Sequence, residues 1–202
     1  IGNRKGQGRL KSIFAAPPDR ILIGADLDQA HLRIIANYWK IPLLMDCFTD
    51  GKDPHNTLAY NVFGDKFKSA RGWGPEGFSL FKKPVGGDAK SMRDVTKTFR
   101  YASIYGANPA TVWGVLTSTE TDDAKLPYMH MTQREVRMIH RAWMKSEPEW
   151  AESWASMQTK FGEQGYMEEP VFGRRSGPLG GGKLNEVVNF PILACESSLM
   201  RL

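Results

Sequence analysis

Cysteine is scarce. Only Cys47 and Cys195 occur in 202 residues, far apart and outside any CxxC or Cys/His spacing. That argues against a disulfide framework or a zinc site and fits a reducing, cytoplasmic setting. No apolar run approaches the ~20 residues of a membrane-crossing helix, and no basic-then-apolar leader opens the chain. Internal repeats are lacking too, and no membrane partner is expected. What remains is the balance of an ordinary globular chain, 41% hydrophobic and 24% charged, long enough for one domain or two small ones. Lys and Arg number 27 against 22 acidic residues, a net +5 that suits a nucleic-acid partner without requiring one.

Residues 1–20 are basic and glycine-rich, ending in the Pro17-Pro18 break. Ile21 to Ala25 is a short apolar run of the length of a buried strand, followed by Asp26-Leu27-Asp28-Gln29. Leu32, Ile35, Ala36 and Trp39 then recur at helical spacing, so an acidic residue stands where a strand should end and a helix begin. Asp53 and Pro54 mark a helix start, with Asp53 as N-cap and the helix running to about Phe63. Residues 64–90 read as an irregular surface excursion. Met92 to about Leu116 is helix-compatible, interrupted near Tyr105 to Pro109. A polar linker covers 117–128, and Thr132-x-x-Glu135 is a capping box for a helix to about Lys145. Ser146-Glu147-Pro148 starts another, with Trp150, Trp154, Met157 and Phe161 on one face and Gly162 and Gly165 at its end. A turn and strand over Tyr166 to Arg175, a loop at Gly180-Gly181-Gly182 and a last helix from about Ala194 complete the chain. Both ends, at Ile1 and Leu202, read as cuts through a longer protein.

Three groups of residues could carry chemistry. Arg93, Lys97, Tyr101 and Tyr105 fall at steps of four, each about 40° beyond a full helical turn, so they share one face. Two cations followed by two aromatics can hold a polyphosphate at one end and a base at the other. A solvated amphipathic helix would show the same spacing. Asp26, at a strand end, could hold a divalent metal through its carboxylate, or serve as a cap or ion-pair partner; Asp28 reads as a helix N-cap. His55 sits at a helix N-terminus, where anions are attracted, although a plain surface histidine would also fit.

The order of these segments resembles that of family A DNA polymerases. Asp26-Leu27-Asp28-Gln29-Ala30-His31-Leu32-Arg33 resembles motif A of that family. Arg93-x3-Lys97-x3-Tyr101-x3-Tyr105-Gly106 resembles motif B, the fingers helix that closes on the incoming nucleotide. Between them, Gly51-Lys52-Asp53-Pro54-His55 is similar to a G-x-D-x-H segment. Ser146 to Arg175 and Asn189-Phe190-Pro191-Ile192 follow in family order.

The resemblance implies an α/β (α+β) fold, a partial antiparallel palm sheet with a mainly helical fingers insert. Palm would fall at 1–63 and 146–202, fingers at 64–145. It implies DNA synthesis from dNTP on a primer-template, assisted by two Mg²⁺ ions. Asp26 would bind both ions and act catalytically, with the carbonyl of Leu27 in one shell. Arg93 and Lys97, the latter also catalytic, would hold the triphosphate, with His55 touching it from the palm side. Gln29, His31 and Tyr101 would line the nucleotide site. Tyr105, Arg174 and Arg175 would meet nucleic acid. Tyr101 is similar to the residue of phage replicative and mitochondrial members, so a host cytoplasm or a mitochondrion is also open. Two substitutions depart from the family: His31 stands where a Glu gates the 2′-OH, and Leu193 where a Gln contacts the duplex. Motif C, His-Asp-Glu, does not occur in the sequence, so the 202 residues are expected to be inactive without the rest of the polymerase (motif C, a thumb, an exonuclease if present) in cis or trans. A non-catalytic nucleic-acid-binding remnant, half of a split polymerase, and a single-subunit RNA polymerase are the alternatives.

Overall fold

The computed structural model describes residues 16–21, 23, 26–118, 128, 130–177 and 183–201. Its helices are α1 (Ala30–Tyr38), α2 (Pro42–Thr49), α3 (Pro54–Phe63), α4 (Asp65–Lys68), α5 (Gly87–Ser103), α6 (Pro109–Ser118), α7 (Gln133–Ser146), α8 (Glu149–Gln164) and α9 (Leu184–Leu199). Several starts are dictated by side chains that satisfy the first free N–H groups. The Asp53 carboxylate accepts from the amides of His55 and Asn56, with Pro54 at the first helical position of α3. Thr132 and Glu135 close a reciprocal capping box on α7. α8 runs through Gly162 and stops at Gly165, whose φ of 76° ends it in the left-handed region.

The helices gather around one large core. Leu32 and Ile35 of α1, Leu58 of α3, Val95 and Phe99 of α5, and Ile139 and Trp143 of α7 are buried there together. At its centre, Trp143 and Trp150 lie 5.2 Å apart and Trp39 and Trp150 5.3 Å, in tilted and edge-on geometries. Beneath this cluster a buried ion pair joins Arg100 of α5 to Glu147. The other Glu147 oxygen accepts from the Trp150 indole at 2.8 Å, and Arg100 also donates to the Pro54 carbonyl at 2.9 Å.

The structure corrects four expectations. No strand is formed among the described residues, only an isolated antiparallel bridge between Glu168 and Arg175, so the partial palm sheet is not seen. Ile21 and Ile23, expected in a buried strand, are 82% and 85% exposed. An apolar run becomes a strand only beside a second one that takes up its N–H and C=O groups, and among the described residues none does. The excursion at 64–90 carries a small core of its own, with Phe67, Trp73 and Phe78 packed edge to face. The last helix begins at Leu184, not near Ala194, and contains Pro191. The proline removes one helical hydrogen bond, and burial of Val187, Val188, Ile192 and Cys195 around it holds the helix together. Asp28 is no cap: Gln29 occupies that position, in a left-handed conformation (φ 55°, ψ 37°) and without a side-chain cap. The glycine loop at 180–182 and most of the 117–128 linker lie outside the described residues. Among those described, no helix is long and apolar enough to cross a membrane.

Candidate functional site

A cleft of about 430 Å³ opens between the turn before α1, the start of α3 and the face of α5. Asp26, Leu27, Gln29, His31, His55, Arg93, Lys97 and Tyr101 all line it, although they come from segments up to 75 positions apart. Asp28, Lys83 and Glu196 line it too, and the sequence reading had given none of them a place there. The volume lies in the range of ordinary small-ligand sites.

Asp26 and Asp28 are exposed in the turn that feeds α1. The left-handed backbone at Gln29 is uncommon for a residue with a side chain, and such conformations collect at functional sites. On α5, the step of four places Lys97 at the open surface and Tyr101 half-buried behind it. Arg93 is 9% exposed and grips Asp53 through two bonds, Nη2 to Oδ2 at 2.6 Å and Nε to Oδ1 at 3.3 Å. Asp53 therefore caps α3 and anchors α5 at once. Burial pushes its carboxyl up, but the Arg93 guanidinium and the Asn56 amide outweigh that and hold it below the usual carboxylate range.

His55 is 1% exposed, stacked at a tilt 5.6 Å from Tyr101, and neither ring nitrogen has a partner among the described atoms. Burial above all, then the charges of Arg100, Arg93 and Lys97 against that of Asp53, push its imidazole down to about 2. The ring is neutral at neutral pH, and it can offer one N–H and one lone pair but no charge. A proton that the unfolded chain accepts near pH 6.5 is thus refused by the folded one. Stability is full above pH 6.5 and is lost as pH falls toward 2, by up to about 1.4 kcal/mol per pH unit. His140, lowered by its own burial, acts in the same direction. Urea unfolding between pH 7 and pH 4.5 should show this loss, and His55→Gln should remove most of the slope. An unchanged slope in that variant would mean the folded ring takes up its proton normally.

The third side of the cleft is a chain of polar contacts. The Tyr105 hydroxyl lies 2.8 Å from His31 Nδ1, and His31 Nε2 lies 2.7 Å from Glu196 Oε2 on α9. A carboxylate accepts, so Nε2 carries the proton and Nδ1 accepts from the phenol. Burial first, and then the nearby Glu196 charge, raise the Tyr105 hydroxyl well above its ordinary value, so it remains a donor. Burial likewise raises Tyr101. Tyr105 is in the turn after α5, not on the helix itself.

Arg174 and Arg175 lie elsewhere. Arg174 donates to the Ala194 carbonyl at 3.0 Å, and Arg175 bonds Glu168 at 3.1 Å over the Tyr166 ring. As for a cation, the Asp26 carboxylate and Leu27 carbonyl suit Mg²⁺, which is commonly held by one or two carboxylates, water and substrate phosphates. Among the described residues no group of three or more His, Cys, Asp or Glu is placed to hold a metal ion.

The model of DNA polymerase family A matches residues 1–179. The DNA polymerase I of Aquifex aeolicus (strain VF5) is 25% identical over 195 residues, covering 96% of this chain and 29% of that protein. The DNA polymerase I of Rhizobium leguminosarum is 31% identical over 104 residues, 51% of this chain and 8% of that protein. Among solved structures, the POL domain of Pol1 from M. smegmatis, in complex with DNA primer-template and dNTP, superposes with a TM-score of 0.59 at 16% identity. The match covers 87% of this chain and 27% of that one. The chain thus spans under a third of the length of these relatives.

Proposed function

The chain belongs to DNA polymerase family A, and from that premise we propose that it forms the nucleotide-binding part of a template-directed DNA polymerase. The reaction is attack of a primer 3′-OH on the α-phosphate of a dNTP. One observation carries the reading. A carboxylate from the turn before α1, a neutral histidine from α3 and the cation-aromatic stripe of α5 line a single cleft.

The division of labour follows from the chemistry of each group. Lys97 is a mobile point charge suited to phosphate oxygens. Arg93, held by Asp53, presents a guanidinium fixed in place before the ligand arrives. His55 can donate one N–H to a phosphate oxygen without the repulsion between cations that a charged ring would bring. Tyr101 offers its ring to the sugar and base. Asp26, with the Leu27 carbonyl, would hold Mg²⁺, and a bound Mg²⁺ supplies charge neutralisation and acidifies the attacking hydroxyl. The second carboxylate of a two-metal site, in a His-Asp-Glu motif, would come from outside these 202 residues, in cis or in trans. Palm at 1–63 and 146–202 and fingers at 64–145 remain our assignment. It is supported by the packing of α1 against α9 and of α5, α6 and α7 in sequence.

The test is primer extension by the whole protein that carries this chain, with Mg²⁺ and a primed DNA template. Extension with dNTP in preference to rNTP is the expected result, and preference for rNTP would point instead to an RNA polymerase. Failure to extend with either would sink the proposal.

A further inference from the structure

The positive charge of the cleft is smaller than its residues suggest. Arg93 is committed to Asp53, and His55 is neutral. The uncommitted cations are Lys97 and a residue outside every motif, Lys83. Its neighbour Lys82 is paired with Glu76, whereas Lys83 is exposed and has no acidic partner among the described residues.

Lys83 does not hang on a loose loop. The side chain of Asn56, fully buried on the first turn of α3, donates to the Lys82 carbonyl at 2.7 Å and to the Ser79 carbonyl at 3.3 Å. The Asp53 amide donates to the Leu80 carbonyl at 2.8 Å. On the far side Pro84 is buried, and the Val85 amide bonds the Gly72 carbonyl at 2.7 Å. Gly72 and Gly87 cross so closely that a Cβ on Gly72 would lie 1.4 Å from the Gly86 carbonyl oxygen. The strand of chain carrying Lys83 is therefore fastened to the same helix start that presents His55. A solvated lysine would need no such seat.

We propose that Lys83 is a further binding residue of this site, a second lysine that takes the polyphosphate of a nucleoside triphosphate opposite Lys97. The inference rests on the nucleotide reading above and adds to it a contact from the 69–86 loop. Two point charges on different elements straddle the phosphate chain, while Arg93 and His55 supply fixed geometry between them. A nucleoside monophosphate is too short to meet both.

Binding of dTTP, dTMP and inorganic tripolyphosphate to the full chain, with Mg²⁺ and across a salt series, tests this. Lys83→Ala should weaken dTTP and tripolyphosphate about tenfold, the effect of one charge-assisted contact, and reduce the salt dependence of their binding. It should leave dTMP unchanged, and Lys83→Arg should restore most of the loss. Lys82→Ala, beside it but paired outward, should match the wild type. Thermal melting controls for the fold, and because Lys83 is exposed its variants should melt with the wild type. Lys97→Ala separates the two levels of the argument. If it weakens dTTP while Lys83→Ala stays within twofold of wild type, the role of Lys83 is overturned and the nucleotide reading stands. If neither variant matters, or the wild type binds no dTTP, both fall.

Discussion

Glu147→Ala should destabilise the fold by about 3–5 kcal/mol, because it leaves a guanidinium buried without its counter-charge. Arg100 and Glu147 both have side chains that are 0% exposed. Arg100 would retain only the Pro54 carbonyl, and the Trp150 indole would lose its acceptor in the middle of the tryptophan cluster. Water cannot reach either group without opening the packing of α5 on α7. The same principle predicts a rescue. Removing both charges together, as Arg100→Met with Glu147→Leu, should recover most of the loss, since a buried pair contributes little beyond an apolar pair of similar volume. Urea unfolding of the two single variants and the double gives the coupling directly. A cost under 1 kcal/mol for Glu147→Ala would mean the pair is solvated, and the core would then need redrawing.

Asp26→Asn should lower primer extension by the whole protein on the order of 10³-fold, the equivalent of roughly 4 kcal/mol of transition-state stabilisation. The substitution keeps the shape of the side chain and removes its charge. Asp26 is exposed and has no ion pair among the described residues, so stability should move by no more than about 0.5 kcal/mol. Affinity for dTTP, set by Lys97 on the opposite wall, should change only a few fold. A loss in rate with fold and binding kept is the signature of a group acting on the reacting atoms. Extension within tenfold of the wild type would remove Asp26 from the chemistry.

Local rules were readable in the sequence, and long-range pairings were not. The Asp53-Pro54 start and the Thr132/Glu135 box are decided by neighbours in the chain, and both form as the sequence predicts. The residues of motifs A and B were also legible, because spacing puts Arg93, Lys97 and Tyr101 on one face whatever surrounds them. Pro191 misled: locally it reads as a helix start, and only the tertiary burial of its neighbours keeps the helix going through it. The expected strand failed for the opposite reason, since nothing in the described fold pairs with it. No periodicity announces that Arg93 will find Asp53 forty residues earlier, or that Glu196 will reach His31. Lys83 was hidden among glycines and prolines whose cross-links to α3 are set by the buried Asn56.

The contacts of His31 also determine what that wall of the cleft looks like to an incoming molecule. One nitrogen is taken by Tyr105 and the other by Glu196, so what the ring has left to present is carbon. Three polar side chains thus build a surface that behaves as a greasy one. A sugar hydroxyl pressed against it would shed its water and find no nitrogen to replace it, whereas a bare C–H would lose nothing. At this wall, deoxygenated rings are favoured by wetting alone.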